Sequence, residues 1–173
     1  MPLYVQTEGM MATNFQATEA DLVAGYRLHF LDSIKRKRAL RAFVVVAVVC
    51  ALVSTWLLWS DDIGPIVAAL VGLVYGFGLL AIILVINFLM LPRRVRRIFA
   101  QQKSLHGETH VEWSDAGISF RSAHGHSTLE WSDYVRLVEG RDMILLMQSD
   151  ALFNFIPKSA LTAEQAAGIM AFK

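Results

Sequence analysis

The chain has 173 residues, of which 55% are apolar and only 18% charged, with a net charge of +1. Soluble domains carry nearer a quarter charged residues, so this composition excludes an ordinary water-soluble globule over the whole length. One cysteine, Cys50, excludes an intrachain disulfide framework and a cysteine-based metal centre.

The N-terminal stretch Leu3–Thr7 alternates apolar Leu3 and Val5 with other residues and predicts an edge strand. Thr18-Glu19-Ala20-Asp21 reads as a helix start, with Thr18 as N-cap and acidic side chains in the first turn. Leu22, Tyr26, Phe30 and Ile34 then recur every fourth residue as one apolar stripe, which Gly25 weakens modestly. This helix is expected to run through Lys35–Arg38 into an apolar span, so that residues 1–41 form an N-terminal strand and an amphipathic juxtamembrane helix.

Phe43–Trp59 and Ile63–Leu91 contain no Lys, Arg, Asp or Glu. A hydrocarbon core of ~30 Å takes roughly 20 apolar residues at ~1.5 Å rise. Two transmembrane helices are therefore expected, at 42–60 and 66–91, joined by a short turn at 61–65. Some forty residues precede the first block, which argues against a signal peptide.

Lys35, Arg36, Lys37, Arg38 and Arg41 flank the first span, and Arg93, Arg94, Arg96, Arg97 and Lys103 follow the second. These are ten of the sixteen basic residues, whereas Ser60-Asp61-Asp62 between the spans has none. Basic residues mark the cytoplasmic side, so both termini are expected there. Lys35, Arg36, Lys37, Arg38, Arg41, Arg93, Arg94, Arg96 and Arg97 are candidate contacts to anionic lipid head groups. Their plainer use is to set topology.

Gly64, Ala68, Gly72 and Gly76 fall every fourth residue in the second span, and Ala47 and Ala51 share that spacing in the first. Small faces let helix backbones approach in lipid. They are expected to close the hairpin within one chain, with a homodimer through the second span as the alternative. Asn87, the one strongly polar side chain of that span, sits near its cytoplasmic end and reads as structural. Pro92 suits the first turn of a new basic helix at 92–104, with Val95, Ile98 and Phe99 on one side.

From residue 105 onward the pattern becomes short alternating runs separated by turn residues: His106–Trp113, Ile118–Ser122, Ser127–Trp131, Tyr134–Glu139, Met143–Met147 and Ala151–Ile156. Such spacing predicts an antiparallel meander. Pro157 should end the last strand, and Thr162 should cap a closing helix that carries Ile169, Met170 and Phe172.

Gly117-Ile118, Trp131-Ser132-Asp133 with Val135, and Ile156-Pro157-Lys158 followed by Ala160-Leu161 resemble the YcxB-like family of bacterial membrane proteins. The order of a strand-like segment, a helix, a basic run and a two-span hairpin upstream resembles it too. The resemblance implies a small pleckstrin-homology-like antiparallel sheet with a C-terminal capping helix. The fold class is thus a membrane α-helical hairpin plus an α+β cytoplasmic domain at 105–173, in the bacterial inner membrane. The resemblance brings no catalytic residue and no cofactor.

The candidate chemistry is sparse. His106, His110, His124 and His126 lie near Glu108 and Glu112, but at no defined metal-ligand spacing, so no metal is expected. Ser132 and Asp133 read as a turn cap rather than a nucleophile with its acid, and Lys158 reads as a surface lysine. No phosphate loop or nucleophile elbow is present. Past residue 103, nine acidic residues face five basic ones, which disfavours nucleic acid. The chain is therefore expected to be a non-enzymatic, membrane-tethered interaction module. Its partners would be membrane lipids, with a protein segment or a second copy of the chain as further candidates. An accessory subunit of a larger membrane complex is the alternative.

Overall fold

The computed structural model describes residues 10–58 and 64–172. The strand expected at Leu3–Thr7 and the turn expected at Ser60-Asp61-Asp62 lie outside the described residues. The chain divides into two compact units, Met1–His29 with Arg93–Lys173, and Phe30–Pro92.

The first unit holds two antiparallel sheets. Strand β1 (Met11–Gln16) pairs with β2 (Glu108–Ser114), which pairs with β3 (Gly117–Ser122), which pairs with β4 (Gly125–Glu130). A three-stranded sheet follows, in the order β5 (Arg136–Glu139), β6 (Met143–Met147), β7 (Phe153–Pro157). Residues about a hundred positions apart thus share a ladder, in which Met11 stands opposite Trp113 and Gln16 opposite Glu108.

Register sorts the side chains of the four-stranded sheet by face, because strand side chains alternate. Val111 stands opposite Phe120, and Trp113 opposite Ile118, which in turn faces Leu129. Val111, Trp113 and Ile118 are buried, with Phe120 and Leu129 packed against them. The other face carries Asn14, His110, Arg121 and His126 in one cross-strand row. At the β2–β3 turn, a side chain on Gly117 would put its Cβ 2.3 Å from the Leu129 carbonyl oxygen, so only glycine fits there.

Strand β6 is different, since all five residues from Met143 to Met147 are buried. Ile144 and Leu146 join the core formed with Val111, Tyr134, Leu137, Ile156 and Ile169. Met143, Leu145 and Met147 form a second cluster with Ala24, Leu28, Phe153 and Phe155. An unbroken apolar run is what a strand covered on both faces requires. Helix α1 (Glu19–Lys35) supplies the second cover.

Its first half is thereby reassigned from a juxtamembrane surface helix to a layer of the folded domain. Gly25 is a point of close approach, with a Cβ there 3.1 Å from the Met143 sulfur. The Thr18 cap forms as expected: its hydroxyl accepts from the Asp21 backbone N–H at 3.1 Å, and Asp21 returns the bond to the Thr18 N–H at 3.0 Å.

Helix α4 (Ala163–Ala171) closes the domain, and Thr162 and Gln165 form its reciprocal cap. Pro157 is the last residue of β7.

The second unit contains helix α2 (Lys37–Leu58) and most of α3 (Pro65–Gln101). Both are long and apolar enough to cross a membrane. Two expectations about continuity are corrected. Helix α1 does not run on into the apolar segment, because the helix breaks at Arg36. Conversely, Pro92 does not begin a new helix, since α3 passes through it to Gln101. A proline removes one hydrogen bond and crowds one carbonyl, a local loss that the helix-forming residues on either side absorb.

The small residues lie where these helices meet. Ala47 and Ala68 are almost fully buried. The Ser54 hydroxyl donates across the pair to the Ala68 carbonyl at 3.0 Å. A Cβ on Gly72 would lie 1.7 Å from Ser54 Oγ, and one on Gly76 would lie 2.8 Å from Cys50 Cβ. Ala51 is half-buried beside them. Gly64 differs, because a Cβ there meets nothing within 4 Å. The remaining faces are apolar and open: Trp56 is 80% exposed and Val74 72%. Surfaces of that kind call for lipid or a partner.

Candidate functional site

A groove of about 440 Å³ lies within the first unit. Phe15 and Ala17 reach it from the end of β1, Leu22 and Tyr26 from α1, and Ile98 from the last turns of α3. Phe120, Arg121 and Ser122 border it from β3, and Phe153, Asn154 and Phe155 from β7. The aromatic groups hold one another in place: Phe15 sits 6.0 Å from Phe155 between ring centres, and Tyr26 meets Phe153 edge-on at 5.3 Å.

Arg121 and Tyr26 are the only ionisable side chains among the described lining residues, and no carboxylate is among them. Arg121 is exposed, and its cross-strand neighbours are His110 and His126. The nearby Glu112 carboxylate turns instead to His110 Nε2 at 3.0 Å. By the register the Arg121 side chain stands on the sheet face opposite Phe120, so the groove presents mainly apolar and neutral polar groups. It offers no acid–base pair.

The basic residues singled out from sequence fall into two sets. Lys35, Lys37, Arg38 and Arg41 are exposed in the second unit, whereas Arg36 is half-buried and pairs with Asp32 at 3.5 Å, one helical turn back. Arg93, Arg94, Arg96 and Arg97 are exposed in the first unit. Arg96 is tied to Glu19, at the start of α1, by a 2.8 Å ion pair. Arg36 and Arg96 thus have protein partners, which their place in a run of basic residues does not reveal.

The remaining polar candidates take structural roles. Asp133 accepts from the Glu130 backbone N–H at 3.0 Å, Ser132 donates to Glu130 at 3.2 Å, and the Trp131 indole donates to the Ser114 carbonyl at 2.8 Å. The Trp131 ring also stacks on Phe172 at 4.3 Å, locking α4 to the sheet. Lys158 pairs with Glu139 at 2.6 Å. His106 contacts the Phe99 carbonyl at 2.8 Å, and His126 contacts Thr128 at 3.1 Å. No group of three or more His, Cys, Asp or Glu among the described residues is placed to hold a metal ion.

Tyr134, buried in the core, has its phenol pKa pushed above the ordinary 10.0. Burial is the main cause, opposed by the hydrogen bond from Asn154 and assisted by the nearby Asp133 charge. The folded state therefore keeps this proton to higher pH than the unfolded chain does. Stability should fall as pH rises above about 10, the window in which the folded form binds more protons. Tyr134→Phe should flatten that fall while costing no more than about 1 kcal/mol at neutral pH, through the lost bond to Asn154. Urea midpoints taken from about pH 8 to about pH 11 check this.

The architecture defines a class: an α+β domain whose first strand is separated from the rest by two long apolar helices. Its C-terminal part is YcxB-like, since residues 113–173 match the family model described as YcxB-like protein. No curated protein and no solved structure matches the chain significantly. Strand β1, helices α1 to α3 and nearly all of β2 lie ahead of the matched segment. The aromatic groove draws on both parts, and pairing across that distance leaves only a weak local signal, the lone Phe15 in a polar stretch.

Proposed function

We propose that the chain is a membrane-tethered, non-enzymatic interaction module. In this reading α2 and α3 cross the bacterial inner membrane as a hairpin, and the β-rich domain is held at its cytoplasmic face. The observation that carries it is the β1–β2 ladder. Residues before and after the apolar helices meet in one sheet, so both flanks belong on one side of any bilayer those helices cross. The ten basic residues on the flanks favour the cytoplasmic side. Four strands, three strands and a closing helix agree with the expected pleckstrin-homology-like arrangement. Tethering raises the local concentration of a partner, so a weak contact becomes effective.

Single cysteines test the topology. With Cys50 replaced by alanine, a membrane-impermeant maleimide added to intact spheroplasts should label Asp62→Cys. It should spare Asn14→Cys and Ser104→Cys until the cells are opened. The reverse pattern, or equal labelling of all three, would overturn the reading. Crosslinking in native membranes then addresses the partner. Adducts on residues 104–172 favour the module, whereas adducts confined to α2 and α3 favour an accessory subunit of a larger complex.

A further inference from the structure

We propose that β4 is a self-pairing edge: two copies of the chain join their four-stranded sheets antiparallel through this strand, about a two-fold axis at Thr128. The proposal rests on the interaction-module reading and names both the partner and the contact.

Strand β4 is an outer strand of its sheet, and five of its six residues are exposed. The other outer strands are blunted, as sheet edges commonly are. Thr13 ties the side of β1 to the Ala160 carbonyl, β5 has four residues, and β7 ends in Pro157. No Pro and no Lys interrupts β4. Two contacts show which of its backbone groups point outward. The Glu130 N–H donates to Asp133 Oδ2 at 3.0 Å rather than to β3, whereas the Leu129 carbonyl is turned toward Gly117 of β3. Backbone directions alternate along a strand, so His126 and Thr128 also point away from β3. Among the described residues no backbone group of another element meets them there.

A second copy fits this edge best in one register. Centred on Thr128, it sets Thr128 opposite Thr128, and each His126 opposite Glu130 of the second copy. Each Thr128 N–H then donates to the Thr128 carbonyl across the axis, and each His126 N–H to a Glu130 carbonyl. Glu130 keeps its own N–H on Asp133. Paired threonines and a histidine facing a carboxylate both favour antiparallel neighbours. A slip of one residue would turn one copy's core-facing side chains to the other face, and a slip of two loses both His–Glu pairs. Within one chain His126 reaches Thr128 at 3.1 Å and Glu130 accepts from Ser132 at 3.2 Å, and both keep capacity for a further bond. Tethering both copies to one membrane supplies the concentration that so short a ladder needs.

Disulfide trapping in the full-length chain, with Cys50 replaced by alanine, tests the register. In opened membranes oxidised with copper phenanthroline, Thr128→Cys should form a covalent dimer, because facing residues lie ~5.5 Å apart between Cα atoms, within disulfide reach. His124→Cys, exposed on the same hairpin, should not, since the two copies would hold it roughly 27 Å from its counterpart. Adding His126→Glu to Thr128→Cys should slow crosslinking about five-fold by setting carboxylates opposite one another. Adding Glu130→Gln as well, which keeps an acceptor oxygen for Ser132, should restore most of the rate.

Crosslinking of Thr128→Cys no faster than that of His124→Cys would overturn the self-pairing, as would a rate that His126→Glu leaves unchanged. A Thr128→Cys chain that stays monomeric and resists maleimide would overturn it in favour of another segment or protein on β4. The labelling of Asp62→Cys, Asn14→Cys and Ser104→Cys reads the tethering separately, so these failures leave it standing.

Discussion

A fragment comprising residues 104–173 is expected to lack a cooperative unfolding transition, although it contains six of the seven strands among the described residues. Joining residues 10–29 to 93–173 through about fifteen Gly/Ser residues, a coil of roughly 20 Å, is expected to restore one in a soluble protein. The reason is the place of β1. It covers the edge of β2 over six register pairs from Met11–Trp113 to Gln16–Glu108, and it brings Phe15 against Phe155. It is also fastened at its sides. Thr13 donates to the Ala160 carbonyl, and Gln16 donates to the His106 carbonyl at 2.7 Å.

Removing residues 10–29 also strips Ala24 and Leu28 from the Met143–Leu145–Met147 cluster, leaving one face of β6 in water. Domains of this size bury a limited share of their surface and hold only about 5–15 kcal/mol in total. Phe15→Ala alone should cost ~2 kcal/mol, below the usual range for a fully buried phenylalanine because Phe15 is half-buried. Losing the strand and the helix cover together should exceed what remains. Circular dichroism with urea titration decides the matter. A 104–173 fragment that unfolds at the same midpoint as the joined chain would show β1 and α1 to be dispensable.

Gly72→Leu is expected to force α2 and α3 apart, while Gly78→Leu should leave them in place. At Gly72 the added Cβ would lie 1.7 Å from Ser54 Oγ and 2.6 Å from the Cys50 carbonyl oxygen. A serine side chain can turn away. A backbone carbonyl cannot, so the helix axes must move. Overpacking of this kind costs about 1–3 kcal/mol, and separation also breaks the Ser54–Ala68 hydrogen bond, worth roughly 0.6 kcal/mol between membrane helices. Nothing lies within 4 Å of a Cβ at Gly78, which makes it the control. Cys50 is a built-in reporter, half-buried beside Gly76, and its alkylation rate in detergent should rise in Gly72→Leu alone. Equal rates in both variants would mean that the Gly72 face does not hold the pair together.

Local interactions account for most of what could be read from sequence. The two apolar helices follow from runs free of charge, the cap at Thr162 from its place at the head of the closing helix, and most of the short strands from alternation between turn residues. The YcxB-like segment was legible for the same reason, because its motifs sit at turns and strand ends close together in the chain. Misplaced boundaries are local too. His106 belongs to a 3-10 turn rather than to β2, and Trp131 to another rather than to β4. The groove was less legible, because Phe15, Phe120 and Phe155 come from three distant places and only their convergence makes a site.

By itself, then, the amino-acid order determined the two long apolar helices, the basic flanks, most of the short strands and the closing helix, but the single expected meander divides into two sheets between β4 and β5. Each of those elements is encoded within a few neighbouring residues, where hydrophobic period and turn chemistry act directly. Only the tertiary structure decided that Met11–Gln16 completes the sheet, that the first half of α1 is a layer of the domain, and that Arg96 is paired with Glu19. An edge strand gains its stability from a partner's backbone, and a helix face gains its own from the surface that covers it. Neither partner is written beside it in the chain.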